Sequence, residues 1–156
     1  MRNLIRIFFL FLIILFPLFS FSQKESLIDF EYETPNGEFY LVSDSEQEYI
    51  LIYFHNPECI ECNELKETMI KDKKINKWIE SNKLKVLAIL PDVDKTYWQF
   101  FSNKIPENWT NGWVEDDEII IKTYLKKVPA LYLIKRENLE IIGRDIEFKK
   151  VKRLIK

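Results

Sequence analysis

The chain has 156 residues with 23 basic and 25 acidic side chains, giving a formal net charge of −2 at pH 7. This length suits one domain, and a hydrophobic content of 47% is ample for a core. Charges of both signs are mixed without a basic patch, which argues against nucleic acid as a partner. The two cysteines are too few for a framework of structural disulfides.

The first 22 residues have the pattern of a secretory signal peptide. Arg2 and Arg6 flank the start of an apolar run, and small residues follow it up to Ser22. This order predicts cleavage after Ser22, leaving a domain of residues 23–156 that is periplasmic or secreted. The alternative is a retained membrane anchor, although the run is shorter than the ~20 residues of a spanning helix. Contact with a membrane is expected only if the segment is retained.

A β-hairpin is predicted next. Leu27 to Tyr32 alternate between apolar and polar residues, as a half-buried strand does. Thr34 to Gly37 (Thr-Pro-Asn-Gly) is a strong turn signal, and Glu38 to Val42 returns as a second strand. We therefore expect an N-terminal β-hairpin extension ahead of the core of the domain.

A buried strand ends just before the two cysteines. Ile50 to Phe54 is a continuous run of β-branched and aromatic residues, which is typical of a strand buried on both faces. After a short break come Cys59 and Cys62, and then Leu65 and Met69 recur at helical spacing. The two thiols therefore lie where a strand gives way to a helix.

This placement favours thiol chemistry. Free N–H groups and the positive end of the helix dipole favour a thiolate at Cys59. Cys62 lies on the same helical face and can form a disulfide with Cys59. In thiol–disulfide exchange one thiol attacks a substrate disulfide and the other resolves the mixed disulfide, so we interpret the pair as a redox site.

Three other interpretations of the pair are a structural disulfide, half of a zinc site and a chance pairing. A disulfide across so short a loop removes little entropy from the unfolded chain and is a poor staple. His55 is the only histidine, so a zinc site would need carboxylates or a second chain to supply its remaining ligands.

Beyond the cysteines, hydrophobic periodicity predicts further helices and strands. They are a short helix around Ile75 to Ile79, a buried strand Leu84 to Leu90 parallel to the first, a helix capped by Asp94 through Phe101, a helix Asp117 to Leu125 capped by Asp116, a hairpin of strands Ala130 to Ile134 and Leu139 to Gly143, and a closing amphipathic helix within Ile146 to Lys156.

The segment from Ile105 to Val114 is expected to be irregular. Trp109 and Trp113 within it have two interpretations. In the preferred one they pack the loop against the domain. In the other they line a surface beside Cys59 that recognises a partner.

Two motifs in this order resemble the thioredoxin superfamily. The Cys-x-x-Cys after a hydrophobic strand is followed by Val128-Pro129-Ala130 at the start of a later strand, and the resemblance covers about Leu27 to Lys156. It implies an α/β domain with the thioredoxin fold, in which helices flank a central mixed sheet. The hairpin is similar to one found in exported reductases of the cytochrome-maturation type.

The resemblance also implies roles for residues. Cys59 resembles the nucleophile and Cys62 the resolving thiol, and Pro129 resembles a cis-proline that holds the substrate backbone. Gly143 resembles a glycine that permits close approach near the site. The residues expected to contact the substrate are Glu58, Ile60 and Glu61 around the cysteines, Val128 before the proline, and Trp109 and Trp113.

The sequence departs from the family at one position. Tyr53 stands six residues before Cys59, where thioredoxin has a buried acid that serves proton transfer, and a phenol is a poor base near neutral pH. Glu58, Glu61 and His55 are the candidates for accepting the proton of the resolving thiol. Each is equally consistent with a solvated or packed side chain, and the sequence does not choose among them.

The two glutamates also suggest a redox direction. Their negative charge disfavours the thiolate and so makes the disulfide form relatively more stable. The hypothesis is a reductant with a potential nearer that of thioredoxin, about −270 mV, than that of strongly oxidising relatives, about −120 mV. Its partners would be exported proteins with disulfides or dithiols and a membrane electron donor, and no cofactor is indicated. The rival function is a redox-inactive binding module that uses the Trp109–Trp113 surface.

Overall fold

The computed structural model describes residues 24–91, 94–115 and 118–156. The predicted signal peptide at residues 1–22 and the predicted cap at Asp116 lie outside these ranges. Within the ranges, no helix is long and apolar enough to cross a membrane.

The described chain forms seven strands and five α-helices in an α/β arrangement. The strands are β1 (Glu31–Glu33), β2 (Phe39–Leu41), β3 (Tyr49–Phe54), β4 (Leu84–Pro91), β5 (Thr110–Val114), β6 (Ala130–Lys135) and β7 (Glu140–Gly143). The helices are α1 (Ile60–Ile70), α2 (Lys73–Glu80), α3 (Lys95–Phe101), α4 (Glu118–Tyr124) and α5 (Phe148–Leu154). All seven strands join one sheet in the order β2-β1-β5-β4-β3-β6-β7. The sheet is mixed, because β3, β4 and β5 run parallel while the other pairs are antiparallel.

Strand β3 lies at the centre of the core, and all six of its residues are buried. Its side chains alternate between the two faces of the sheet, as the pleat requires. Tyr49, Leu51 and Tyr53 pack with residues of α1, α2 and α5, whereas the other three pack with α4 and the N-terminal segment. Helices therefore cover both faces, as expected for a continuous apolar run.

The N-terminal hairpin is present with shorter strands than predicted. β1 and β2 pair antiparallel around the predicted turn, in which Gly37 has a φ of +82°, a conformation that glycine adopts at little cost. The preceding residues Leu27 and Phe30 are buried in the core. The hairpin is thus an integral part of the sheet, joined to it where Glu33 pairs with Trp113 of β5.

Strand β5 corrects the expectation of an irregular segment. Thr110–Val114 is inserted between β1 and β4 and runs parallel to β4. Asn111 and Gly112 are poor strand formers, so the local sequence hides a strand that its two neighbours stabilise. A Cβ on Gly112 would lie 2.6 Å from Cδ1 of Ile89 and 2.9 Å from Cδ2 of Tyr32, so a glycine is needed for this close approach.

Candidate active site

A hydrogen-bonded turn carries the chain from β3 to the cysteines. The His55 N–H donates to the Ile89 carbonyl at 3.0 Å, which holds the end of β3 against β4. Asn56 then organises the turn, because its side-chain oxygen accepts from the Glu58 N–H at 2.8 Å and its carbonyl from the Cys59 N–H at 3.1 Å. Asn56 is not among the predicted site residues, although an Asn-Pro step after a strand is a signal for such a turn.

Cys59 is the N-cap residue of α1. Its Sγ accepts a hydrogen bond from the Cys62 N–H at 3.1 Å, where most helices place an oxygen acceptor. Cys59 is partly exposed, Cys62 is 1% exposed, and both are free thiols. One sulfur is therefore accessible to a substrate, and the other lies one helical turn behind it.

Cys62 is held in its thiol form at neutral pH. Burial is the main cause that raises its pKa from 9.0 to about 12, and the hydrogen bond with Cys59 adds to it. A backbone hydrogen bond involving Asn56 acts in the opposite direction. Because the thiolate is the attacking species, Cys62 is unreactive until its environment changes.

Tyr53 lies beneath the cysteine pair. Its hydroxyl donates to the carbonyl of Cys62 at 2.7 Å, and the side chain is 1% exposed. Burial raises the pKa of this phenol far above its usual value, with smaller contributions from both thiols. Tyr53 therefore fixes the first turn of α1 as a hydrogen-bond donor, and it has no role as a base near neutral pH.

His55 stacks on Tyr53, with ring centroids 5.0 Å apart and an interplanar angle of 16°. The side chain is 6% exposed. Burial is the main cause that lowers its pKa to about 4, and the positive charge of Lys66 contributes to the same shift, so the imidazole is neutral at pH 7. Its Nε2 atom is buried and has no hydrogen-bond partner among the described residues.

The peptide bond between Val128 and Pro129 is cis, as the resemblance implied. The pairing of Phe54 with Ala130 places Pro129 beside the end of β3, where the chain leaves the sheet towards Cys59. Val128 is half-buried and packs against the same core cluster as Cys59. The fold thus brings together two motifs that lie about 70 residues apart in sequence.

The three other residues predicted around the cysteines face solvent. Glu58 and Glu61 are exposed, and Ile60 between the cysteines is 75% exposed. These three exposed side chains lie close to Cys59 in the sequence, and their contact with a substrate stays a prediction. Glu61 also adds a small contribution to the raised pKa of Cys62.

The structure buries Trp109, one of the two tryptophans of the predicted partner-binding surface. Trp109 is 6% exposed and packs edge-on against Tyr53 in the core, with ring centroids 6.2 Å apart. Trp113 stacks on the buried Trp98 of α3. Burial in the core removes Trp109 from a docking surface, whereas Trp113 is half-buried and its predicted contact with a substrate stays a prediction.

Gly143 also differs from its expected role. A Cβ at this position would lie 2.6 Å from Ile146 and 3.2 Å from Leu154. The glycine therefore permits the close approach of the segment that forms α5.

Among the described residues, no three His, Cys, Asp or Glu side chains converge as metal ligands.

A Cys-x-x-Cys pair at the start of a helix that follows a central strand, together with a cis-proline opening the adjacent antiparallel strand, defines the class of thioredoxin-fold proteins. No protein-family model matches the sequence, and no curated protein is similar to it by sequence. Solved structures are similar, and the chain belongs to the thioredoxin superfamily.

Several of these solved structures come from Bacteroides species, and three of them illustrate the similarity. The C-terminal domain of an uncharacterised protein from Bacteroides fragilis is 30% identical with a TM-score of 0.75, over 85% of this chain and 95% of that chain. A thioredoxin-like protein from Bacteroides caccae is 28% identical with a TM-score of 0.75, over 86% of this chain and 49% of that chain, so this chain spans about half its length. The thioredoxin domain of a thiol–disulfide oxidoreductase from Bacteroides vulgatus has a TM-score of 0.71 at 13% identity, over 88% of this chain and 100% of that domain.

Proposed function

We propose that this chain is an exported thiol–disulfide oxidoreductase that exchanges disulfides with cysteine pairs of other exported proteins. The observation that carries the proposal is the unequal pair: Cys59 is partly exposed at the N-cap of α1, and Cys62 is buried one turn behind it. The similarity to a domain described as part of a thiol–disulfide oxidoreductase supports the same activity.

The exchange balances in two steps. The Cys59 thiolate attacks one sulfur of a substrate disulfide, which forms a mixed disulfide and releases the other substrate sulfur as a thiolate. Cys62 then loses its proton and attacks Cys59, which forms the Cys59–Cys62 disulfide and releases the second substrate thiolate. The substrate gains two electrons and the protein loses two, so a donor has to restore the dithiol, and we propose an exported or membrane-bound one.

We propose that the pair acts as a reductant. Burial holds Cys62 as a thiol, and Glu58 and Glu61 carry negative charge beside the pair. Both features withhold stabilisation from the thiolate and so favour the disulfide form of the protein. The charges are exposed and therefore screened by salt, so their effect on the potential is modest.

The test is the reduction potential of the Cys59–Cys62 pair, from equilibration in glutathione or dithiothreitol buffers with mass-spectrometric readout. We expect a two-electron couple near that of thioredoxin, about −270 mV. A value near −120 mV would reverse the direction of the proposed reaction and keep the exchange. A pair that does not equilibrate with either buffer would refute the oxidoreductase.

Single-cysteine variants test the order of attack. Cys62→Ser should form a mixed disulfide with a model disulfide substrate and keep it, since no resolving thiol remains. Cys59→Ser should form none, because the remaining thiol is buried and protonated. Adduct formation by Cys59→Ser but not by Cys62→Ser would reverse the two roles.

Export has its own test. Expression with the full N-terminus in a Gram-negative host, followed by fractionation and mass measurement, should give a soluble periplasmic protein that begins at Gln23. An uncleaved protein in the membrane fraction would instead indicate an anchored enzyme.

A further inference from the structure

A pocket of about 280 Å³ lies where β3 and β4 end, next to the loop that precedes Pro129. Its lining includes Asn56, whose carbonyl accepts the Cys59 N–H at 3.1 Å. One lining residue is therefore hydrogen-bonded directly to the backbone of the candidate nucleophile. The lining also includes His55, Leu90, Leu125, Lys126, Lys127 and Val128.

The size of the pocket suits one side chain. Its volume is roughly nine times the ~30 Å³ that one molecule occupies in liquid water, and it lies just below the range of sites for drug-sized ligands. Leu90 is buried, and Leu125 and Val128 are half-buried, so the walls contact the methylene groups of an entering side chain. A whole cofactor does not fit this space.

The described lining of the pocket carries positive charge. Lys126 and Lys127 are exposed on its lining, and neither has an ion-pair partner in the part of the chain that the structure describes. Lys66 of α1 is close enough to lower the pKa of His55. No acidic side chain lines the pocket within the described ranges.

His55 adds an unmet hydrogen bond. It lines the pocket, it is 6% exposed, and its buried Nε2 has no partner among the described residues. A polar atom buried in this way is stabilised by any ligand group that reaches it. A neutral imidazole can donate to a carboxylate oxygen from the nitrogen that carries its proton, once the ring turns so that this nitrogen reaches the pocket.

We infer that this pocket is a subsite for an acidic side chain, an aspartate or glutamate near the reactive cysteine of a polypeptide substrate. The inference rests on the proposed exchange and names its preferred substrate. Lys126 and Lys127 attract the carboxylate, and the apolar walls hold its methylene groups. Glu58 and Glu61 are exposed near Cys59 in the sequence and repel an acidic side chain that approaches them, whereas the lysines attract it.

The experiment compares two peptide disulfides of the same length that differ only in a glutamate or a lysine two residues from the cysteine. Reduced protein should react with the glutamate peptide about tenfold faster at low ionic strength. In 1 M salt, where the Debye length is ~3 Å, the preference should fall to about twofold or less. Equal rates for the two peptides, or a faster lysine peptide, would overturn the inference and leave the exchange function intact.

Charge variants test whether Lys126 and Lys127 cause the preference for the glutamate peptide. The double variant Lys126→Gln/Lys127→Gln should slow the glutamate peptide about fivefold and accelerate the lysine peptide. The matched control is Lys73→Gln/Lys77→Gln, which makes the same charge change on α2, beyond the far end of α1, and should keep the preference. If both double variants lose the preference equally, the effect belongs to net charge and the subsite is refuted.

A binding measurement keeps the inference separate from exchange. In Cys59→Ser/Cys62→Ser protein, the linear glutamate peptide should shift the NMR signals of His55 and Val128, and the lysine peptide should not. Absence of shifts with both peptides would refute the subsite even if the wild-type protein exchanges disulfides. Glutathione disulfide tests whether a small anionic substrate is preferred instead. If it reacts as fast as the glutamate peptide, and if Lys126→Gln/Lys127→Gln slows both reactions equally, a polypeptide substrate would be contradicted.

Discussion

His55 and Cys62 are two buried titratable side chains whose responses to pH are opposite. Burial disfavours the charged form of each, which lowers the pKa of the imidazole to about 4 and raises the pKa of the thiol to about 12. Both groups are therefore neutral in the folded protein at pH 7. Protonation of His55 therefore destabilises the folded state at low pH, and ionisation of Cys62 destabilises it at high pH.

The acid side can be tested through His55. The pKa of His55 in the folded protein lies below the unfolded value of about 6.5. Between these two pKa values the unfolded chain therefore binds a proton that the folded chain does not bind. The free energy of unfolding should therefore fall as pH decreases from about 6.5 to 4, by about 3 kcal/mol from this residue. Urea unfolding across this range should show a shallower loss for His55→Gln.

The same prediction has a direct spectroscopic check. His55 is the only histidine in the chain, so one imidazole signal in a proton NMR titration reports it without assignment. A midpoint near pH 4 in the folded protein is expected, and a midpoint near 6.5 would contradict the burial described above.

The alkaline side can be tested through Cys62 in the reduced protein. Its folded pKa lies above the unfolded value, so the folded state keeps a proton that the unfolded chain loses above about pH 8.5. Stability should therefore decrease between pH 9 and 10, by up to about 1.4 kcal/mol per pH unit from this thiol. Reduced wild type should lose stability more steeply than Cys62→Ala, and parallel curves would be evidence against a buried thiol.

At the scale of the elements, α2 is fixed by its cap. Asp72 accepts hydrogen bonds from the N–H groups of Lys74 and Ile75 at 3.0 and 3.2 Å. Its other carboxylate oxygen binds the ammonium of Lys152 on α5 at 2.5 Å. One carboxylate thus begins a helix and joins it to the helix that closes the fold.

Substitutions at Asp72 separate these two contributions. Asp72→Ala should reduce the free energy of unfolding by about 1 to 2 kcal/mol, because it removes both the cap and the ion pair. Asp72→Asn keeps a cap acceptor and should cost less than about 1 kcal/mol. Urea unfolding measures both, and equal losses in the two variants would mean that the charge, not the cap, stabilises α2.

Strong local signals explain which elements the sequence predicts correctly. The apolar runs that became β3 and β4, the Asp94 cap of α3 and the Thr34–Gly37 turn are each encoded within a few residues. Strand β5 is not, since the pairing that stabilises its Asn and Gly comes from strands distant in the sequence. The strand therefore follows from the sheet and not from its own residues.

The site residues also divide into those that local sequence predicts and those that depend on the fold. The positions of Cys59 and Cys62 at the start of a helix follow from local periodicity, and the cis state of the Val128–Pro129 bond was implied only by the family resemblance. The contact of Tyr53 with the Cys62 carbonyl and the unpartnered nitrogen of His55 depend on how the turn at Asn56 directs the chain. No pattern of residue types specifies such contacts.

At the scale of the whole molecule, the N-terminal segment completes the core. Leu27, Phe30, Tyr32 and Val42 are each 6% exposed or less and belong to the cluster on the α4 face of the sheet. Burying four large side chains contributes about 6 to 12 kcal/mol, which is comparable to the whole stability of a domain of this size. The hairpin is thus a part of the folding unit.

A truncation series tests this conclusion. A chain that begins at residue 46 should lack a cooperative thermal or urea transition, because its sheet face is exposed. A chain that begins at residue 24 retains every element described and should unfold cooperatively. A cooperative transition in the shorter chain would show that the hairpin is an accessory to an independent core.

The close approach at Gly112 has a consequence for how the sequence of the protein can evolve. A methyl group there would overlap Ile89 on β4 and Tyr32 on β1, and an overpacked core is typically destabilised by about 1 to 3 kcal/mol. We therefore expect the three positions to change together in homologues: a chain with alanine at 112 should carry a smaller residue at 89 or 32. An isolated change at the glycine should be rare, although the position lies far from either thiol in the sequence.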